Sequence, residues 1–251
     1  MPAAGKTTVA AALARRHGLR RYHADAHTWE HRDRALAAGD RHARRFEDLG
    51  PVERWRAPVA DLLRMSLHEQ RGPMTSDDVR ALPPAPLTIA EGTPVTPRIT
   101  GGDPAVWLLV SPETQRARLA DRRLGPERTS LYLALGERIA HDTAGSLVLY
   151  TDRLSPADTV AAVDELFAGV LAAAPKAETD AQRSELLRYA NRAQLSQVRG
   201  FFARPWADGD PQAVVKPLDC ECGSPDCSQR LEIAIGDYVS PLLAAGHHPP
   251  G

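Results

Sequence analysis

Aromatic residues are scarce in this chain, at 5% of 251 residues, and cysteine is scarcer, with three. An odd number of cysteines, all between positions 220 and 227, makes a poor disulfide framework and suits a metal cluster better. No stretch approaches the roughly 18 apolar residues that span a bilayer. No charged-then-apolar leader opens the chain, so a cytoplasmic protein is expected. Neither sign of charge dominates: 31 Lys and Arg face 32 Asp and Glu, for a net charge of -1. That balance argues against a general nucleic-acid binder or a protein drawn to acidic membranes. No internal repeat is visible, which removes solenoids and propellers.

What is present is ordinary for a globular protein: 43% hydrophobic and 25% charged residues. The length allows one large domain, or one domain with an appendage. Helical patterning is expected over Lys6–His17, over 28–49 with a break near Gly39-Asp40, and over 51–70, where Trp55, Val59, Leu62, Leu63 and Leu67 recur at helical spacing and Arg71-Gly72-Pro73 ends the pattern. Further helices are expected at 112–123, 127–142, 156–173 and 180–201. Short apolar runs at 19–24, 87–90, 105–110 and 146–150 read as strands, and 231–235 as another. Strands alternating with helices predict a parallel α/β sheet. A composition change at Ala174-Pro175-Lys176 divides an α/β domain, 1–174, from a helix and a Cys-rich tail, 175–251.

The chain opens Met1-Pro2-Ala3-Ala4-Gly5-Lys6-Thr7-Thr8. Gly5, Lys6 and Thr7 fill the last three places of the phosphate-binding pattern G-x-x-x-x-G-K-[ST], immediately before an apolar helix. The spacing suits phosphate because loop and helix N–H groups converge on one anion. This start resembles the P-loop NTPases, specifically their small kinase-like members. The resemblance implies a three-layer parallel sheet and binding of ATP or GTP with magnesium. Ala4, Gly5, Lys6, Thr7 and Thr8 would cradle the phosphates, Lys6 would reach the β/γ oxygens, and Thr7 would ligate Mg²⁺. In that family a buried strand precedes the loop at the centre of the sheet. Here the pattern's first glycine would fall one residue before Met1, so a native product longer by roughly ten residues is expected.

The same resemblance assigns further roles. Asp25, after the strand at 19–24, would orient or deprotonate the acceptor; as a residue preceding helical sequence it equally suits an N-cap. Glu91, closing the strand at 87–90, would support the magnesium, directly or through water; otherwise it is a solvated turn acid. Arg118 and Arg122, spaced i,i+4, would be lid arginines closing on transferred phosphate, against the alternative of a solvated helix face. Thr93 and Arg98 are weaker substrate contacts. His23, His27 and His31 share a spacing but read as polar or substrate-facing residues rather than a metal site.

Cys220, Cys222 and Cys227 form C-x-C-x4-C with Gly223 and Pro225 between them, as a tight metal-wrapping turn requires. His247, or its neighbour His248, supplies a fourth ligand for a structural zinc; three reduced thiols on a turn are the alternative. The segment looks like a small Cys-rich tail of uncharacterised bacterial proteins, and docking of a protein partner there is open. The leading expectation is transfer of the γ-phosphoryl group to a small hydroxyl-bearing acceptor. An ATPase or GTPase switch without an acceptor, and a non-catalytic partner-binding protein with a zinc-stabilised tail, are the rivals.

Overall fold

The computed structural model of the protein describes residues 1–250 and is mixed α/β. It divides into two compact units, neither continuous in sequence. Met1–Val9, His31–Asp78 and Gly92–Leu166 make the first; Ala10–Glu30, Val79–Glu91 and the chain from Phe167 onward make the second. The boundary expected at Ala174 lies on a connection inside the second unit.

Helix α1 (Lys6–His17) has the expected bounds. It is alanine-rich, carries Arg15, Arg16 and His17 against the negative end of its dipole, and stops at Gly18. Gly18 has φ +63°, and a Cβ there would lie 2.6 Å from the Ala177 carbonyl oxygen, so only glycine fits. Strand β1 (Arg20–His23) follows, then a 3-10 turn (Ala24–His27) and helices α2 (Thr28–Ala37) and α3 (Arg41–Asp48). The break at Gly39-Asp40 is real: Asp40 Oδ1 accepts from the His42 and Ala43 N–H groups at 2.8 Å each and caps α3.

The expected helix over 51–70 is instead three segments: α4 (Pro51–Trp55), α5 (Val59–Met65) and the start of α6 (His68–Ala81). Pro58 breaks the first junction, because the residue before a proline is driven from helical geometry. Leu67, at φ +58°, turns the second. Pro73 does not end a helix; it lies inside α6. Its missing N–H leaves the Glu69 carbonyl without its usual helical donor, and Arg98 Nη2 stands 3.5 Å from that oxygen.

Next come β2 (Thr88–Glu91), α7 (Pro97–Thr100), β3 (Trp107–Leu109), α8 (Pro112–Ala120), α9 (Pro126–Asp142), β4 (Val148–Tyr150), α10 (Pro156–Leu166) and α11 (Ala168–Ala173). The long α12 (Asp180–Phe202) opens on a reciprocal cap between Thr179 and Gln182, and β5 (Val215–Asp219) and β6 (Arg230–Ala234) close the chain. Among the described residues the strands form three two-stranded sheets. The β1–β2 pair is parallel, from Arg20 opposite Thr88 to His23 opposite Glu91. The β3–β4 pair is parallel, from Trp107 opposite Val148 to Leu109 opposite Tyr150. The β5–β6 pair is an antiparallel hairpin. Strand β5 escaped the sequence reading because Pro217 interrupts a short polar run.

In the first unit, the highly charged stretch over 28–49 is helical because its charges are absorbed. The Phe46 ring lies between the Arg32 and Arg54 guanidinium groups, 3.7 and 3.8 Å from their carbons. Arg54 also donates to the Phe46 and Leu49 carbonyls at 2.8 Å. Ala35, Ala43 and Leu67 form an apolar cluster with Leu36 and Met74. In the second unit, two buried arginines of β1 are likewise satisfied. Arg20 gathers the carbonyls of Pro83, Ala85 and Pro86 and the Thr88 hydroxyl, and Arg21 pairs with Asp219 at 3.0 Å. The face of α12 bearing Leu195 and Val198 packs on Leu218, Ile235 and Leu242 around the hairpin.

Candidate functional site

At the N-terminal loop, the backbone oxygens are held from one side. Met1 N donates to the Leu108 carbonyl of β3 at 2.8 Å. Lys6 Nζ folds back to the Met1 carbonyl at 3.0 Å, and Arg118 Nη1 donates to the Ala3 carbonyl at 3.1 Å. The buried Thr151 hydroxyl lies 3.3 Å from the Ala4 carbonyl and 3.4 Å from that of Leu109. Ala3 at φ +64° and Gly5 at φ +88° bend the loop through left-handed geometry. The first bond that α1 makes with this loop runs from Val9 N to Gly5 O at 3.0 Å. A helix start whose loop carbonyls are engaged elsewhere is an arrangement suited to an anion.

Thr7 and Thr8 lie in the first turn of α1. Arg118, on α8, spends its guanidinium on the loop: besides Ala3, it donates to the Thr151 carbonyl at 2.9 Å. Arg122 lies beyond the end of α8, on a turn where its N–H bonds to the Leu119 carbonyl, and it is exposed. The two arginines therefore do not share a helix face, because the helix expected to reach Arg123 ends at Ala120 and Arg123 turns to φ +52°.

Asp25 and Glu91 belong to the second unit. Asp25 lies in the 3-10 turn after β1, and its carbonyl accepts from the Thr28 hydroxyl at 2.8 Å. Glu91 ends β2, is 6% exposed, and faces its register partner: His23 Nε2 is 3.4 Å from Glu91 Oε1. On the other side of that ring, His23 Nδ1 lies 2.6 Å from Gln194 Nε2. The three histidines do not converge. His27 stacks on Tyr22 with ring centroids 4.6 Å apart, and the fully buried His31 meets Asp78 at 2.7 Å in the first unit.

The cysteine segment brings its predicted residues together. One ligand atom each from Cys220, Cys222, Cys227 and His247 lie within 4.8 Å of one another, with the cysteines buried. His247 Nδ1 is 3.3 Å from Cys220 Sγ and 3.7 Å from Cys227 Sγ. A tetrahedral zinc with bonds of about 2.3 Å to sulfur and 2.0 Å to nitrogen separates such ligands by about 3.5 to 3.8 Å. The group could therefore hold a metal of zinc's type. Burial pushes the Cys227 thiol up to about 11. Burial also opposes the Cys222 thiolate, but the Ser224 N–H, the two other thiols and the Arg15 charge outweigh it and hold that thiol below its usual value.

Residues outside the motif build the turn, and sequence reading missed them. Glu221, between two ligands, is fully buried. Its carboxylate accepts from Asn191 Nδ2 at 2.8 Å, Tyr238 Oη at 2.7 Å, Ser240 Oγ at 2.9 Å and Leu242 N at 2.9 Å. Ser184 donates to the Glu221 carbonyl at 2.7 Å. Ser184 and Asn191 are seven residues apart on α12 and both buried; two polar residues on a helix's inner stripe were the available signal. Gly223 has φ +79°, and a Cβ there would come 2.1 Å from the Asp180 carbonyl oxygen.

A cleft of about 230 Å³ in the first unit is lined by His68, Glu69, Thr96, Arg98, Arg138 and Asp142 among others. Arg138 spans it, paired with Glu69 at 2.7 Å and Asp142 at 3.0 Å. Among the described residues no helix is long and apolar enough to cross a membrane. No family model matches the chain, and no curated protein or solved structure matches it.

Proposed function

We propose that the protein is a P-loop phosphotransferase of the kinase-like kind, with a structural zinc in its C-terminal segment. The observation that carries the reading is the N-terminal loop itself: a Gly-Lys-Thr at a helix start whose carbonyls are tied back by Lys6, Arg118 and Thr151.

On this reading the nucleoside triphosphate, with magnesium, supplies the phosphoryl group. The N–H groups of Gly5 to Thr8 bind its phosphates, and the Lys6 ammonium exchanges the Met1 carbonyl for a phosphate oxygen. The Thr7 hydroxyl would ligate the magnesium. Arg118 acts on the loop rather than as a lid. The cleft of His68, Thr96 and Arg98 receives a small polar acceptor, its mixed charges favouring a hydroxylated molecule over an apolar one.

The chemistry of the donor set supports zinc: three buried cysteine sulfurs and one half-buried imidazole, all within 4.8 Å of one another. Calorimetry with Mg²⁺-ATP, beside Lys6→Ala and a metal determination, tests both parts. Micromolar binding lost in Lys6→Ala and one zinc per chain are expected. Absence of nucleotide binding in the parent overturns the phosphotransferase reading and leaves a zinc-stabilised binding protein.

A further inference from the structure

We infer that the metal turn regulates the phosphate loop through helix α1, an inference that rests on the nucleotide reading above. Helix α1 is unbroken from Lys6 to His17. Its first turn follows the loop; its last turn carries Arg15. The Arg15 guanidinium donates to the Cys220 carbonyl at 2.5 Å and to the Ser224 carbonyl at 3.3 Å. Those two oxygens belong to the first metal ligand and to the residue midway between the second and third. A second tie lies just beyond the helix. Arg21 of β1 pairs with Asp219, the residue before Cys220, in a bridge where both side chains are nearly buried.

The carbonyls that Arg15 uses are arranged by the path the chain takes around the four ligands. A bound metal fixes that path, because each ligand is anchored to a common point. Release of the metal removes the anchor, so the last turn of α1 loses its ordered acceptors. The helix then starts from a less ordered state when nucleotide binds at its other end, and part of the binding free energy goes into ordering it. By linkage the effect is reciprocal: nucleotide must tighten metal binding by the same factor.

The experiment compares Mg²⁺-ATP affinity in zinc-loaded parent, chelator-treated parent and zinc-loaded Arg15→Met, which keeps the aliphatic stem. Amide-exchange protection over residues 10–17 is followed in each. Affinity about tenfold weaker in both altered forms is expected, with protection lowered to the same extent. Chelation of Arg15→Met should add no further loss, while that variant still carries one zinc. Unchanged affinity and protection in zinc-loaded Arg15→Met overturns the coupling even if chelation unfolds the chain. Failure of the zinc-loaded parent to bind Mg²⁺-ATP removes the nucleotide reading and this inference with it. Binding by the parent, with no loss in either altered form, removes the inference alone.

Discussion

The cysteine turn and the N-terminal loop are both tight backbone bends, and they are built in opposite senses. In the cysteine turn the side chains face inward: three sulfurs and an imidazole converge, and the Glu221 carboxylate beside them collects four donors. Its backbone oxygens are turned outward, to Arg15 and Ser184. In the N-terminal loop the backbone oxygens are the part held back, by Lys6, Arg118 and Thr151. The working groups of the first are side chains close in sequence, apart from His247. Those of the second are main-chain N–H groups whose orientation depends on residues more than a hundred positions away. On the proposed reading, the cysteine turn fails when a ligand is removed, and the N-terminal loop fails when a support is removed.

The sharpest break of that comparison is Cys222→Ala. Losing a ligand should abolish stoichiometric metal and cost on the order of 5 kcal/mol of stability, since metal binding and folding of such a turn are one equilibrium. Metal content and the denaturant midpoint check this. A variant that retains one metal per chain would show that the four residues are not the ligand set. Gly223→Ala should come next, at about 3 kcal/mol or more, although it touches no ligand. It forces a side chain into φ +79° and into a carbonyl 2.1 Å away, and neither α12 nor the turn can yield without disturbing the Glu221 cluster.

Arg118→Met sharpens the other side. The Ala3 and Thr151 carbonyls lose charged donors at 3.1 and 2.9 Å, and the expected cost is about 1–2 kcal/mol. Nucleotide affinity should fall about tenfold in calorimetry while metal content stays at the parent level. A fall in affinity without a fall in stability would instead mark Arg118 as a direct phosphate contact, which is the lid role its position suggested from sequence.

How much could be read beforehand follows the same division. C-x-C-x4-C with a later histidine was legible because the chemistry of a metal site lies in residue types and their spacing. Helix α1 was legible to the residue because alanines, terminal cations and Gly18 all agree. The segment over 51–70 was misread because the apolar spacing of Trp55, Val59, Leu62 and Leu67 persists across breaks at Pro58 and Leu67: burial pattern and backbone continuity are separate properties. Pro73 was misread for the converse reason, since a proline that reads as a stop lies inside α6, with Arg98 Nη2 3.5 Å from the Glu69 carbonyl its missing N–H leaves without a helical donor. Arg118 was assigned to a lid and found under the loop. No local signal distinguishes an arginine that reaches toward solvent from one that reaches toward Ala3.

The smallest effect concerns Tyr238, which touches the metal turn only through Glu221. Burial, and then its hydrogen bond to the Glu221 carboxylate, push the phenol from an ordinary value of 10.0 up to about 12. A raised value in the folded state means that folding favours the neutral phenol. The stabilisation is therefore complete below about pH 10 and is lost as the pH climbs toward 12. Tyr238→Phe should cost about 1 kcal/mol near neutrality, because Glu221 keeps three of its four close donors. The difference in denaturant midpoint between parent and variant should then shrink between pH 10 and 12, since phenylalanine has no proton to lose. A difference that stays constant across that range would show that Tyr238 contributes by packing alone, and that the Glu221 carboxylate is held by Asn191, Ser240 and the Leu242 N–H without it.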